Sequence, residues 1–145
     1  MVLGIIPDGN RRWAKAHGLS AHAGHTAGMN SLSEVIKYFL PKVEHLYVYL
    51  LAWHNWERNI DELVRLTEIE ALLIQKYKDN PKITLQHGHP PRNIGKSMDV
   101  IVRSKEGNSE LSGFFPEESQ TARVIVLNKF WPDVTPEDIN EAIRQ

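Results

Sequence analysis

An apolar run that ends abruptly limits the folds open to this chain more than any other stretch. Val2-Leu3-Gly4-Ile5-Ile6 gives way at once to Pro7-Asp8-Gly9-Asn10-Arg11-Arg12-Trp13. The run is too short for a helix and rich in β-branched side chains, and Pro7 and Gly9 stop the strand from continuing. Asp8 is therefore predicted at the carboxyl end of a buried strand, the edge at which open α/β sheets bind ligands. Side-chain chemistry narrows the expectation further. A carboxylate is a hard oxygen ligand suited to Mg²⁺, and a guanidinium presents a planar fork of donors suited to phosphate. Asp8 and Arg12 in one loop thus point to a magnesium-complexed diphosphate. The competing reading has Asp8 or Asn10 capping the following helix, with the arginines solvated.

The rest of the chain alternates strand and helix signals. His45 to Ala52 is nearly all apolar and β-favouring, as a strand buried on both faces of a parallel sheet must be. Residues 82–87, 98–103 and 123–128 are further strands, and Arg103 ends its strand much as Asp8 ends the first. Asn55 follows the second, so three strand tips are predicted to converge on one crevice. Between them, residues 11–17 form a short helix closed by Gly18, and 24–40 a longer one stopped by Pro41. Met29, Leu32, Val35, Ile36 and Phe39 fall on one face of that second helix, which marks them as core. Residues 59–77 open with a capping pattern, Asn59 and Glu62, and set Leu63, Leu66, Leu73 and Tyr77 on one side. Glu70 falls in the same stripe and needs a partner or an exposed edge. Thr135-Pro136 opens a terminal helix. The prediction is an α/β fold with a mostly parallel central sheet flanked by helices on both faces.

At 145 residues the chain fits a single domain, residues 1–145. Its net charge of −1 gives no basic field for nucleic acid. No apolar run approaches the ~20 residues of a transmembrane segment. The amino terminus lacks the pattern of a secretion signal, and without cysteine there are no disulfides or thiolate metal sites. A cytoplasmic location is expected. No histidine pair shows the i, i+4 spacing with a nearby acid of a helical zinc site, although His87-x-His89 points to one side of a strand.

The string Ile5-Ile6-Pro7-Asp8-Gly9-Asn10-Arg11-Arg12-Trp13-Ala14-Lys15, followed by Gly18 and by Gly24-His25-Thr26-Ala27-Gly28, resembles the first signature of the cis-prenyltransferases. Asn55-Trp56-x-Arg58-x-x-x-Glu62 is similar to the second. Arg103, Ser112-Gly113-Phe114 and Trp131-Pro132-Asp133 resemble parts of the third. The resemblance implies a Mg²⁺-dependent prenyltransferase, with Asp8 holding the metal on an allylic prenyl diphosphate. It places Gly9, Asn10, Arg11, Arg12, Trp13 and backbone N–H groups at the helix start around that diphosphate, and His25 beside it. It further implies that Asn55 positions the reacting carbons and that Glu62 organises the homoallylic site. Trp56, Arg58, Arg103 and Ser112 are implied to bind substrate. Trp13, Leu51, Trp53 and Phe114 would exclude water from the reacting carbons. Family members are dimers, so a homodimer is expected.

Several positions depart from the family pattern. Counting back from Trp131, the family's second metal-binding glutamate falls at Arg123, and its second diphosphate-binding arginine falls near Glu110. The arginine between the first two signatures is Ala21, and the Phe-Ser before the second is Leu51-Ala52. A helical segment with a Tyr-Gly-Gly-Arg string is missing after residue 88, which predicts a narrow hydrocarbon channel and a short or irregular isoprenoid product. The alternatives are a phosphohydrolase, cyclase or lyase that uses only the allylic half of the site, or a non-catalytic partner subunit of the same fold.

Overall fold

The computed structural model describes residues 1–52, 59–105, 111 and 113–145. Five strands form one sheet: β1 (Val2–Ile6), β2 (His45–Ala52), β3 (Ile83–Gly88), β4 (Val100–Arg103) and β5 (Arg123–Val126). Their order is β3-β2-β1-β4-β5, and every pairing is parallel. The expected mostly parallel sheet is thus parallel throughout. β1 lies at the centre with all of its residues buried, as its unbroken apolar run requires.

Among the described residues four α-helices accompany the sheet: α1 (Asn10–Ala16), α2 (Ala21–Phe39), α3 (Ile60–Tyr77) and α4 (Pro136–Arg144). α2 begins three residues earlier than the sequence indicated, because the Ser20 hydroxyl accepts from Ala23 N–H and caps it there. Its stripe of Leu32, Val35, Ile36 and Phe39 packs on Leu3, Ile5, Leu46 and Val48. Leu73 of α3, Ile139 of α4 and Trp131 join the same core. α1 crosses α2 closely, since a Cβ at Gly24 or Gly28 would collide with the carbonyl oxygen or side chain of Asn10.

The two faces of the sheet are covered differently. Helices on both faces were expected, yet α2, α3 and α4 all contribute to one core. The opposite core, built on Val2, Ile6, Tyr47, Tyr49 and Ile101, is closed by Met98, Phe114 and Phe115, which lie before and after β4 and belong to none of the helices among the described residues. Strand order explains the division. Right-handed crossovers that step from β1 to β2 to β3 put their helices on one side. The return past β1 to β4 and on to β5 must run over the other side, where the described residues form no helix.

Reversal of the strand order about β1 also defines the switch point of the sheet. It lies between the carboxyl ends of β1 and β4, where the first strand's loop and Arg103 emerge side by side, with Ile6 in register with Arg103.

Candidate active site

Pro7 ends β1 and Gly9 turns the chain into α1. Gly9 is the helix N-cap, at φ 99°, with no side chain capping the helix. A side chain there would be strained by its left-handed backbone and would strike the Phe130 ring. Neither Asp8 nor Asn10 is the cap, so the helix does not consume the Asp8 carboxylate. That carboxylate instead faces Arg103, whose Nε donates to Asp8 Oδ2 at 2.6 Å.

The loop is tied firmly to β4. The Ser104 hydroxyl accepts from Asp8 N–H at 2.5 Å and donates to the Asp8 carbonyl at 2.6 Å. The Trp131 N–H reaches the same carbonyl at 2.9 Å, and its indole Nε1 donates to Gly28 O at 2.9 Å. One buried tryptophan thereby locks the tip of β1 to α2. The burial within the ion pair is lopsided: the Arg103 side chain is 4% exposed and the Asp8 side chain 28%. Arg103 Nη1 is buried and has no hydrogen-bond partner among the described residues. A donor so placed fits an incoming anion, because a buried polar group left unpaired is costly.

α1 carries the other predicted residues. The Arg12 guanidinium lies over the Phe130 ring, 5.2 Å from its centroid, and donates to Lys105 O at 2.7 Å. Trp13 Nε1 donates to Asp133 Oδ1 at 3.0 Å, which joins the first signature to the Trp-Pro-Asp turn. Glu62, at the start of α3, gathers two partners on one oxygen: His25 Nε2 at 3.0 Å and Arg11 Nε at 3.1 Å. The expected reciprocal cap at this helix is half realised. The Asn59 side chain accepts from Asp61 and Glu62 N–H, while the Glu62 carboxylate turns to His25 and Arg11.

Asp8, Gly9, Asn10, Arg11, Arg12, Trp13, His25, Glu62 and Arg103 therefore form one connected group at the carboxyl ends of β1 and β4. Asn55, Trp56, Arg58 and Ser112 lie outside the described residues, as does Glu110. Arg123 does not join the group within this chain. It pairs with Val100 at the amino end of β5, whereas Arg103 pairs with Val126, three residues and about 10 Å further along. Ser104 and Phe130 are contributors without a part in the sequence analysis, and Asp133, quoted there only within the Trp-Pro-Asp string, gains one as the acceptor from Trp13. Ser104 directly follows a strand-ending arginine, and Phe130 directly precedes Trp131, which are the signals that could have found them.

Asp8 fits a magnesium ion as a single, partly exposed carboxylate, since Mg²⁺ commonly takes one or two protein carboxylates and completes its shell with water and substrate phosphates. Glu70, the other acid of interest, is 3% exposed on α3 and lies 3.2 Å from His87 Nε2. The adjacent Glu70 carboxylate, opposed by burial, holds the His87 imidazole above its usual pKa. The Glu70 stripe position thus gains the partner it required.

Comparison with known proteins agrees with this geometry. The undecaprenyl diphosphate synthase family model (Prenyltransf) matches residues 6–89. A tritrans,polycis-undecaprenyl-diphosphate synthase of Aeropyrum pernix is 23% identical across 99% of this chain and 93% of its own length. An isoprenyl transferase of Heliobacterium mobile is 38% identical across 68% of this chain but only 37% of its own length. One from Lactococcus lactis is 33% identical across 77% and 48%. The chain thus spans less than half the length of these two curated isoprenyl transferases. Among solved structures, lavandulyl diphosphate synthase from Lavandula x intermedia superimposes with a TM-score of 0.83 at 18% identity, covering 99% of this chain and 93% of that one. The fold, with its parallel sheet, is shared with that solved synthase. The chain belongs to the undecaprenyl diphosphate synthase, or isoprenyl transferase, family.

Proposed function

We propose that this chain, as a single domain and a homodimer, transfers a short allylic prenyl group from its diphosphate with the help of Mg²⁺. The observation that carries the reading is the Asp8–Arg103 pair at the switch point of the sheet: an acid facing solvent, backed by a buried guanidinium whose Nη1 has no hydrogen-bond partner among the described residues. In this reading Asp8 holds the metal, which when bound neutralises charge on the departing diphosphate. Arg103 and Arg12 bind phosphate oxygens, and His25, fixed by Glu62, stands beside them. The allylic C–O bond breaks and diphosphate leaves with the bonding pair. The double bond of isopentenyl diphosphate then forms the new C–C bond, and loss of a proton restores an alkene. Trp13 and Phe114 shield the reacting carbons from water. A short substrate is supported by the solved neighbour of the same fold, which was crystallised with dimethylallyl diphosphate.

Product analysis by mass spectrometry tests the reading. Dimethylallyl diphosphate, isopentenyl diphosphate and Mg²⁺ are expected to give a short prenyl diphosphate, and long polyprenyl chains would contradict the short-product assignment. Turnover of the allylic diphosphate alone would favour a phosphohydrolase, cyclase or lyase. The position of Arg123, which brings no second carboxylate to Asp8 within the chain, gives that second reading its support. Absence of both turnover and diphosphate binding would leave a non-catalytic partner subunit.

A further inference from the structure

One row of residues runs across the sheet just beneath Asp8, and only its last member has been assigned a part. In register, Gln86 of β3 pairs with Tyr49 of β2, and Ile6 of β1 pairs with Arg103 of β4. β1 and β2 are parallel with Ile5 beside Val48, so Tyr49 lies next to Ile6. Tyr49 and Ile6 sit in the same core, on the face closed by the connection after β4. The long side chains of Tyr49 and Arg103 therefore flank the short Ile6 from either side. Asp8, two residues beyond Ile6, rises between them at the tip of the strand.

The Tyr49 ring is held by two further contacts in sequence. Gln86 is fully buried, its Nε2 donating to Gly113 O at 3.1 Å and its Oε1 accepting from Phe115 N–H at 2.9 Å. Those bonds fix Phe114, which stacks on Tyr49 at 5.3 Å and 26°. Burial and the Asp8 carboxylate push its hydroxyl up to about 12, with Arg103 pulling the other way. At neutral pH the group is a protonated donor.

Resting on the diphosphate reading of this crevice, we propose that Tyr49 is a further binding residue there. Its hydroxyl donates a hydrogen bond to the diphosphate oxygens that Arg103 also faces. Arg103 supplies charge from one side of Ile6 and Tyr49 supplies a neutral donor from the other, which fixes the orientation of the leaving group.

The test is calorimetric titration of inorganic pyrophosphate with Mg²⁺ into the wild type, Tyr49→Phe and Asp8→Asn, with melting curves for all three. Tyr49→Phe keeps the ring on Phe114 and removes only the donor, so its pyrophosphate affinity is expected to fall about 10- to 100-fold, in line with a hydrogen bond to a charged group. KM for the allylic diphosphate is expected to rise with it. Equal affinity for the wild type and Tyr49→Phe, with Asp8→Asn weakened, overturns the role of Tyr49 and leaves the crevice reading in place. A wild type that does not bind, or an Asp8→Asn that binds as well as the wild type, removes the crevice reading itself.

Discussion

Two acid–base pairs at the carboxyl ends of the strands show how burial separates a site from a strut. In Asp8–Arg103 the cation is the buried member and the acid faces out, with side-chain exposures of 4% and 28%. In Glu70–His87 the order is reversed: the acid is 3% exposed and the imidazole 27%. A buried guanidinium cannot discharge itself, so it keeps a positive field under an accessible carboxylate, and that combination suits a metal diphosphate. A buried carboxylate beside a more exposed imidazole instead joins α3 to β3. The two pairs have similar chemistry, and the side on which water lies decides what each can do.

Asp8→Asn should break this contrast most strongly. Asparagine still accepts from Arg103 Nε, so the fold persists, whereas alanine would leave a buried guanidinium uncompensated. Turnover of an allylic diphosphate with Mg²⁺ is expected to fall on the order of 100- to 1,000-fold, the scale of losing one preorganised electrostatic contact to developing charge. Rates near the wild-type value would place the metal elsewhere.

Glu70→Gln probes the other pair and should act on stability through pH. Glu70 raises the His87 pKa above its unfolded value, so the pair stabilises the fold fully below about pH 6.5, the ordinary histidine value. That stabilisation disappears as pH rises through the raised pKa of folded His87. The melting temperature of Glu70→Gln is therefore expected to lie below that of the wild type in acid and to converge with it above neutrality. A constant gap across pH 5 to 9 would show that packing, not the charge on His87, joins α3 to β3.

Sequence alone revealed the strands and the loop because both are local. The apolar run ending at Pro7 placed Asp8 at a strand tip, and the buried run of β2 appears with its expected bounds. Arg103 was legible as a strand end for the same reason. What escaped depends on strand order. Whether a crossover covers one face or the other is set by the jump from β3 past β1 to β4, and no periodicity within a segment encodes that jump. Helices were therefore expected on a face that holds Met98, Phe114 and Phe115, none of them in a helix. The pairing of His25 with Glu62, 37 residues apart, and of Glu70 with His87 was hidden similarly. Each residue carried a helix or strand signal of its own, and the partner came only with the fold.

Arg11 gives the smallest expected effect and the finest test of the burial argument. Glu62 Oε1 accepts one buried partner and one exposed partner at nearly the same distance, since the side-chain exposures are 5% for His25 and 55% for Arg11. Distance alone would rank the two contacts as equals. Solvent around a guanidinium weakens its attraction and lets the side chain regain its freedom, so exposed pairs are worth about 0.2–1 kcal/mol. Arg11→Ala should therefore lower stability by at most about 1 kcal/mol, and the difference should shrink as salt rises past about 0.5 M and screening shortens. His25→Asn, which withdraws a buried imidazole from the same oxygen, should cost more and respond little to salt. Denaturant titrations of both variants at two ionic strengths check this ordering. If Arg11→Ala proved the costlier and the salt-independent one, exposure would be the wrong guide to which contacts hold this crevice together.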